Sequence, residues 1–189
     1  MKIGTISKNE YVRIFAKIGD WYVVQTNSDL IGTVNKNYIR NATLTNGTST
    51  NKNTTITDNL SGYSTDEKEL LKLINNERKK YGLVELKFDS ELQRVAKAKA
   101  IDLAENNYFA HNSPTYGTPF EMMKAFKITY NTAGENLAGN SSLSGAVTAW
   151  MNSEGHRANI LNNTFNYTGI GIVESKTYGK ILVQMFIGK

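Results

Sequence analysis

The chain holds two histidines, His111 and His156, and no cysteine. Thiol chemistry and disulfides are therefore excluded, and any acid–base or metal chemistry has to come from imidazoles and carboxylates. His111 opens His111-Asn112-Ser113-Pro114, just past a helical pattern, and His156 lies in Ser153-Glu154-Gly155-His156-Arg157, past another. Both read as loop residues on rigid elements, where function concentrates. Glu135 stands in Ala133-Gly134-Glu135-Asn136-Leu137, an acid beside a glycine and entering an apolar stretch. A carboxylate buried there needs a partner.

Two imidazoles and one carboxylate are the donors of an open divalent-metal site suited to a zinc-like ion, so His111, Glu135 and His156 form one candidate ligand set. Two other arrangements use the same residues. His156 could serve as base for Ser153, three positions earlier, with Glu135 orienting the imidazole, which would be a hydrolase-like set. Alternatively, Glu135 pairs with either histidine in a buried structural network that catalyses nothing. Ser153 could equally cap a helix end. Arg157 suits the carbonyls at the preceding helix end, and Asn136 and Asn159 suit structural hydrogen bonds. No tight spacing of the His-Glu-x-x-His kind joins the three site residues, so their convergence depends on the fold.

The elements that must position them are legible in part. Ser64-Thr65-Asp66-Glu67 reads as a capping box, Leu70, Leu73 and Ile74 as an apolar stripe, and Gly82 as a C-cap. A second helix spans about 89–107, with Leu92, Val95, Ala96, Ala100, Leu103 and Ala104 at three- and four-residue steps and Lys97, Lys99 and Asp102 on other faces. Residues 121–126 and 143–151 read as shorter helices, the latter burying Leu143, Ala146, Val147 and Trp150. Ile170, Ile172 and Val173, then 181–187, are strand-like runs joined through Lys176-Thr177-Tyr178-Gly179 as an antiparallel hairpin.

Ahead of these lie short β-rich runs at 11–14, 21–25 and 31–34, separated by turn clusters. Between Asn41 and Asn59, twelve of nineteen residues are Asn or Thr, with almost nothing apolar to offset the entropy of ordering, so this stretch reads as a tether. Its Asn-X-Thr triplets, Asn46-Gly47-Thr48 and Asn53-Thr54-Thr55, match glycosylation acceptors by composition alone. The formal charge is +5, from seven Lys/Arg against four Asp/Glu in residues 1–61 and fifteen against thirteen in 62–189. Neither part is a nucleic-acid binder by charge, and runs such as Arg78-Lys79-Lys80 read as solvated helix faces. No apolar run approaches the ~20 residues needed to span a bilayer. Met-Lys-Ile-Gly-Thr lacks the apolar core of a signal peptide, which leaves either a cytosolic protein or one whose leader is gone.

Four ordered motifs carry a resemblance: His111-Asn112-Ser113-Pro114, Gly134-Glu135-Asn136-Leu137-Ala138, Ala149-Trp150-Met151-Asn152-Ser153 and Gly155-His156-Arg157-Ala158-Asn159-Ile160-Leu161, ending in Gly169-Ile170-Gly171-Ile172. Over roughly 65–188 the chain resembles the CAP superfamily of cysteine-rich secretory, antigen 5 and pathogenesis-related proteins, in its short bacterial branch. The resemblance implies an α-β-α sandwich and a cleft built by two histidines and two glutamates, of which His111, Glu135 and His156 match three. Ser153 stands where the fourth is expected, with Glu154 one step later. The eukaryotic disulfides are absent. Gly19-Asp20-Trp21-Tyr22-Val23-Val24, Leu30-Ile31-Gly32-Thr33-Val34 and Asn37-Tyr38-Ile39 resemble the bacterial SH3-like domain of cell-wall proteins, with a shortened opening strand; Trp21, Tyr22 and Tyr38 equally suit core and rim packing.

The expectation is thus an α+β chain: an SH3-like β-barrel at 1–42, an Asn/Thr-rich linker at 43–62 and a CAP domain at 63–189. By family it is exported, extracellular or associated with the cell envelope. Its cleft, His111, Glu135, Ser153 and His156, binds a cell-wall fragment, peptide or lipid, with or without a divalent metal such as zinc held by His111, Glu135 and His156. A metal-assisted or serine-type hydrolase of peptide or wall substrates is the enzymatic alternative.

Overall fold

The computed structural model describes residues 12–18, 20–25, 31–39 and 63–189. The chain divides into two compact units between Ser64 and Thr65. The tether, its Asn-X-Thr triplets, Tyr11 and the 27–29 turn lie outside the described residues.

In the N-terminal unit, β1 (Arg13–Ile18), β2 (Trp21–Gln25) and β3 (Ile31–Asn35) form an antiparallel meander in the order β1-β2-β3, with a bulge between Ile14 and Ala16. A single 3-10 turn, Lys36–Tyr38, follows, the Asn35 side chain accepting from Asn37 N at 3.1 Å. Val23 and Val24, consecutive in the middle strand, are both buried, whereas Trp21 and Tyr38 are exposed. The described residues form this sheet and close no barrel.

The second unit begins with α1 (Thr65–Lys80), which ends where expected: Gly82 takes φ +68°, and Leu83 N bonds back to Arg78 O. Then follow β4 (Lys87–Phe88), α2 (Ser90–Glu105), α3 (Pro119–Ala125), β5 (Thr132–Asn140), α4 (Leu143–Asn152), α5 (Glu154–Ile160), β6 (Tyr167–Ser175) and β7 (Gly179–Gly188). The sheet order is β4-β6-β7-β5, antiparallel except for the β4–β6 pair. The expected 170–187 hairpin is its centre, turning at Gly179 with φ +77°.

Strand alternation sorts the sheet into two faces. Leu182 and Phe186 pack with Leu70, Ile74, Trp150 and Ile160, so α1, α4 and α5 cover one face. Helix α2 covers the other so closely that a Cβ on Gly169 or Gly171 would stand 2.4 Å from Leu92 O or 2.1 Å from Ala96 O. Between these glycines the Gln93 amide donates to Ile170 O (2.6 Å) and accepts from Ile170 N (2.8 Å). The mixed sandwich implied by the four motifs is thereby present.

One expectation for a helix face is corrected. Arg78 is buried: its guanidinium donates to the carbonyls of Val84, Ile160, Asn162 and Phe165, pinning α1 to the end of α5 and the loop beyond. Burial lowers its pKa. Lys99 and Asp102 are also buried. Replacing Arg78 with Met should cost about 3 kcal/mol or more, because the four carbonyls lose their donors. Lys79→Met should stay within about 0.5 kcal/mol. Urea denaturation of both variants checks the contrast.

Candidate functional site

Strand β5 is the edge of the sheet, and its composition, Thr-Ala-Gly-Glu-Asn-Leu-Ala-Gly-Asn, is poor in strand formers. It is a strand because β7 offers a full antiparallel register from Thr132↔Gly188 to Asn140↔Lys180. Its outward edge is covered by side chains: Trp150 Nε1 donates to Leu137 O (2.9 Å) and Asn159 Nδ2 to Glu135 O (3.2 Å). Gly134 leaves room for this, since a Cβ there would lie 2.9 Å from Asn159 Oδ1.

Glu135 and Asn136 are consecutive and so address opposite faces. Asn136 turns to the α5 layer, donating to His156 O (3.0 Å) and accepting from Asn159 Nδ2 (2.9 Å). Glu135 turns to the α2 layer, where Oε1 accepts from His111 Nδ1 at 2.7 Å. The glutamate side chain is 2% exposed and that of His111 54%. Of the two pairings open from sequence, Glu135 takes His111.

His156 was expected in a loop and instead lies in the first turn of α5. Ser153 ends α4 and begins α5 by its backbone, but its hydroxyl makes no capping bond; it lies 2.9 Å from His156 Nδ1. Burial, then the nearby charge of His111, lowers the His156 pKa, which marks the two imidazoles as electrostatic neighbours. Asn136 and Asn159 play the expected structural parts. Arg157 does not satisfy helix-end carbonyls; it donates to Tyr81 OH at 3.1 Å and lies over that ring.

The His111 loop is held by a buried network that helical periodicity had placed on other faces. Lys99 Nζ donates to Tyr108 OH (3.0 Å), Ala110 O (3.0 Å) and His111 O (2.8 Å). Asp102 accepts from Tyr108 OH, Ser113 Oγ, Thr115 Oγ1 and Asn106 Nδ2. Ser113 Oγ in turn accepts from Thr115 N and Tyr116 N. Burial, reinforced by the bond to Asp102, raises the Tyr108 pKa, so this phenol stays a donor. The available signal was a pair of opposite charges three residues apart within the alanine-rich stretch Ala96 to Ala104 of α2, followed by Tyr108, Ser113 and Thr115.

The four candidate residues therefore meet as two pairs, His111 with Glu135 and His156 with Ser153. A Ser153–His156–Glu135 relay is not formed, since Glu135 is bonded to the other histidine. Glu135 Oε1 is engaged with His111, while Oε2 is buried with no hydrogen-bond partner among the described residues. Among the described residues no three His, Asp or Glu side chains are arranged to hold a metal ion. Each imidazole is engaged through Nδ1, which leaves Nε2 as its uncommitted nitrogen.

An α-β-α sandwich whose edge strand sets a His–Glu pair beside a His–Ser pair defines the class of this unit. Residues 71–186 match the CAP family of cysteine-rich secretory proteins, and the chain belongs to that family. It is 52% identical over 139 residues to the uncharacterized protein YkwD of Bacillus subtilis (strain 168), covering 73% of this chain and 53% of that protein. It thus spans about half the length of that relative. Among solved structures, an outer surface protein of Borrelia burgdorferi superposes with TM-score 0.61 at 31% identity, over 66% of this chain and 92% of that one. An extracellular protein containing a SCP domain from Bacillus anthracis superposes with TM-score 0.60 at 27% identity, over 92% of this chain and 58% of that one. Among the described residues no helix is long and apolar enough to cross a membrane.

Two measurements follow. By NMR titration His156 should titrate below the ordinary imidazole value of ~6.5, and His111→Ala should move it part of the way back, because one of the two depressing causes is removed. Since the folded form releases this proton more readily, the His156 contribution is present above the unfolded pKa and declines as pH falls through it. Ser153→Ala should change stability by no more than about 0.5 kcal/mol while shifting the His156 resonances; a loss near ~1 kcal/mol would show a capping hydroxyl.

Proposed function

We propose that this is an exported bacterial CAP protein of the cell envelope whose cleft at the β5 edge binds a ligand through the two imidazole Nε2 atoms. The observation that carries the reading is the His111–Glu135 bond: a buried carboxylate on Nδ1 orients the ring and, in the neutral imidazole, selects the tautomer whose Nε2 carries no proton. Ser153 can fix His156 in the same sense. The ligand class is a cell-wall fragment, peptide or lipid. A divalent ion such as zinc would be held by the two Nε2 atoms, with Glu135 behind His111 as the orienting group rather than a third ligand. The bacterial relatives, one an outer surface protein and one extracellular, support placement outside the cytoplasm.

The N-terminal sheet supplies attachment to the wall or to peptide, as an SH3-like module. Its exposed Trp21 and Tyr38, 51% and 85% accessible, are the side chains suited to contact. Hydrolysis is the weaker reading, because the Ser153–His156 pair lacks the carboxylate that would orient it.

Soluble peptidoglycan fragments added to the full chain should shift the imidazole resonances of both histidines, and His111→Ala with His156→Ala should weaken the interaction at least ~10-fold, about 1.4 kcal/mol. Shifts confined to other residues would remove the cleft from the account. Retention of the full chain on purified cell walls, reduced by Trp21→Ala, tests the anchoring part separately.

A further inference from the structure

A buried ammonium is costly unless its hydrogen bonds and its charge are both answered. Lys99 is 1% exposed, and its three bonds go to neutral acceptors, Tyr108 OH, Ala110 O and His111 O. Its hydrogen bonds are thus satisfied, but none is to a carboxylate. Burial lowers the Lys99 pKa, and the charges that answer it are Glu135, bonded to the same His111 whose carbonyl Lys99 holds, and Asp102, which shares the Tyr108 hydroxyl with it.

Glu135 presents the complementary problem. Its carboxylate is buried with one bond, to His111, and one oxygen without a partner. Burial pushes its pKa up, and His111 and Lys99 pull it back. One ammonium therefore acts on both partners of the His111–Glu135 bond: it holds the main chain of His111 directly, and its charge favours the ionised Glu135 carboxylate.

We propose that Lys99 is a positioning residue of the cleft, its buried ammonium anchoring the His111 carbonyl and balancing the Glu135 carboxylate, so that the His111–Glu135 pair is set from helix α2. This rests on the reading of the cleft as the binding site but is tested without a ligand. A merely structural lysine would stiffen the 108–113 loop and nothing more. A positioning lysine also determines whether a carboxylate faces His111 Nδ1.

The test is NMR of the full chain at neutral pH, following the imidazole nitrogens and the downfield Nδ1 proton of His111. Lys99→Met keeps the aliphatic stem and removes the charge; Ser113→Ala loosens the same loop, by removing a bond to Asp102, without changing charge. We expect Lys99→Met to abolish the downfield proton and shift His111 towards a mixture of tautomers, with His156 far less affected. Ser113→Ala should lower stability yet keep the signal. If Lys99→Met unfolds the chain, Lys99→Gln, which retains donors to the two carbonyls, gives the same reading. A folded Lys99 variant that keeps the signal unchanged overturns the proposal, as does Ser113→Ala losing it to the same extent. Failure of peptidoglycan fragments to bind would leave these signals where they are, so the two readings fail separately.

Discussion

Everything in this candidate site depends on the two-residue period of one edge strand. Because consecutive side chains leave a strand on opposite faces, Glu135 reaches the layer of α2 and the His111 loop, while Asn136 reaches the layer of α5 and His156. Two histidine-bearing segments 45 positions apart in sequence are thus tied to a single dipeptide. A one-residue slip of β5 against β7 would send the carboxylate into the apolar layer beneath Trp150 and leave His111 unpartnered. The register is protected from the outside by Trp150 and Asn159, which bond carbonyls of β5 and so blunt an edge that could otherwise pair with another chain.

The same arrangement explains the motifs as physical units. Gly134 is small because Asn159 needs the space, Asn136 is an amide because it must both donate to His156 O and accept from Asn159, and Gly169 and Gly171 let α2 lie against β6. Arg78 and Lys99 perform parallel tasks in the two layers. Each is a buried cation whose hydrogen bonds are spent mainly on main-chain carbonyls, and each fixes a segment that has no regular structure of its own. The core packs the layers, and these two polar clamps fix the segments that join them, Lys99 holding the loop that carries His111.

What could be read in advance was what local patterning controls. The Gly82 cap, the apolar stripe of α2 and the β6–β7 hairpin follow from spacing and turn residues, and ordered motifs singled out His111, Glu135 and His156 as candidates. Strand β5 could not be read, because its residues favour no strand and its pairing is imposed by β7 from far along the chain. Helix α5 escaped for a similar reason: Glu154-Gly155-His156-Arg157 has a glycine in its first turn and no buried apolar residue before Ile160. Arg78 read as part of a solvated face, and Lys99 and Asp102 only as lying off the apolar stripe, because sequence shows a helix's charges without showing what lies opposite them. The partnering of Glu135 with His111 rather than His156 was likewise a matter of which face of a strand each histidine meets.

The central claim is that one strand holds the two histidines from opposite faces, and Asn136→Ala tests it most directly. Removing the Asn136 amide frees His156 O and the Asn159 side chain but leaves Glu135 in place on the other face. In imidazole NMR spectra the account predicts that the His156 resonances move while the His111 Nδ1–H signal, bonded to Glu135, persists. Loss of the His111 signal with His156 unmoved would contradict it.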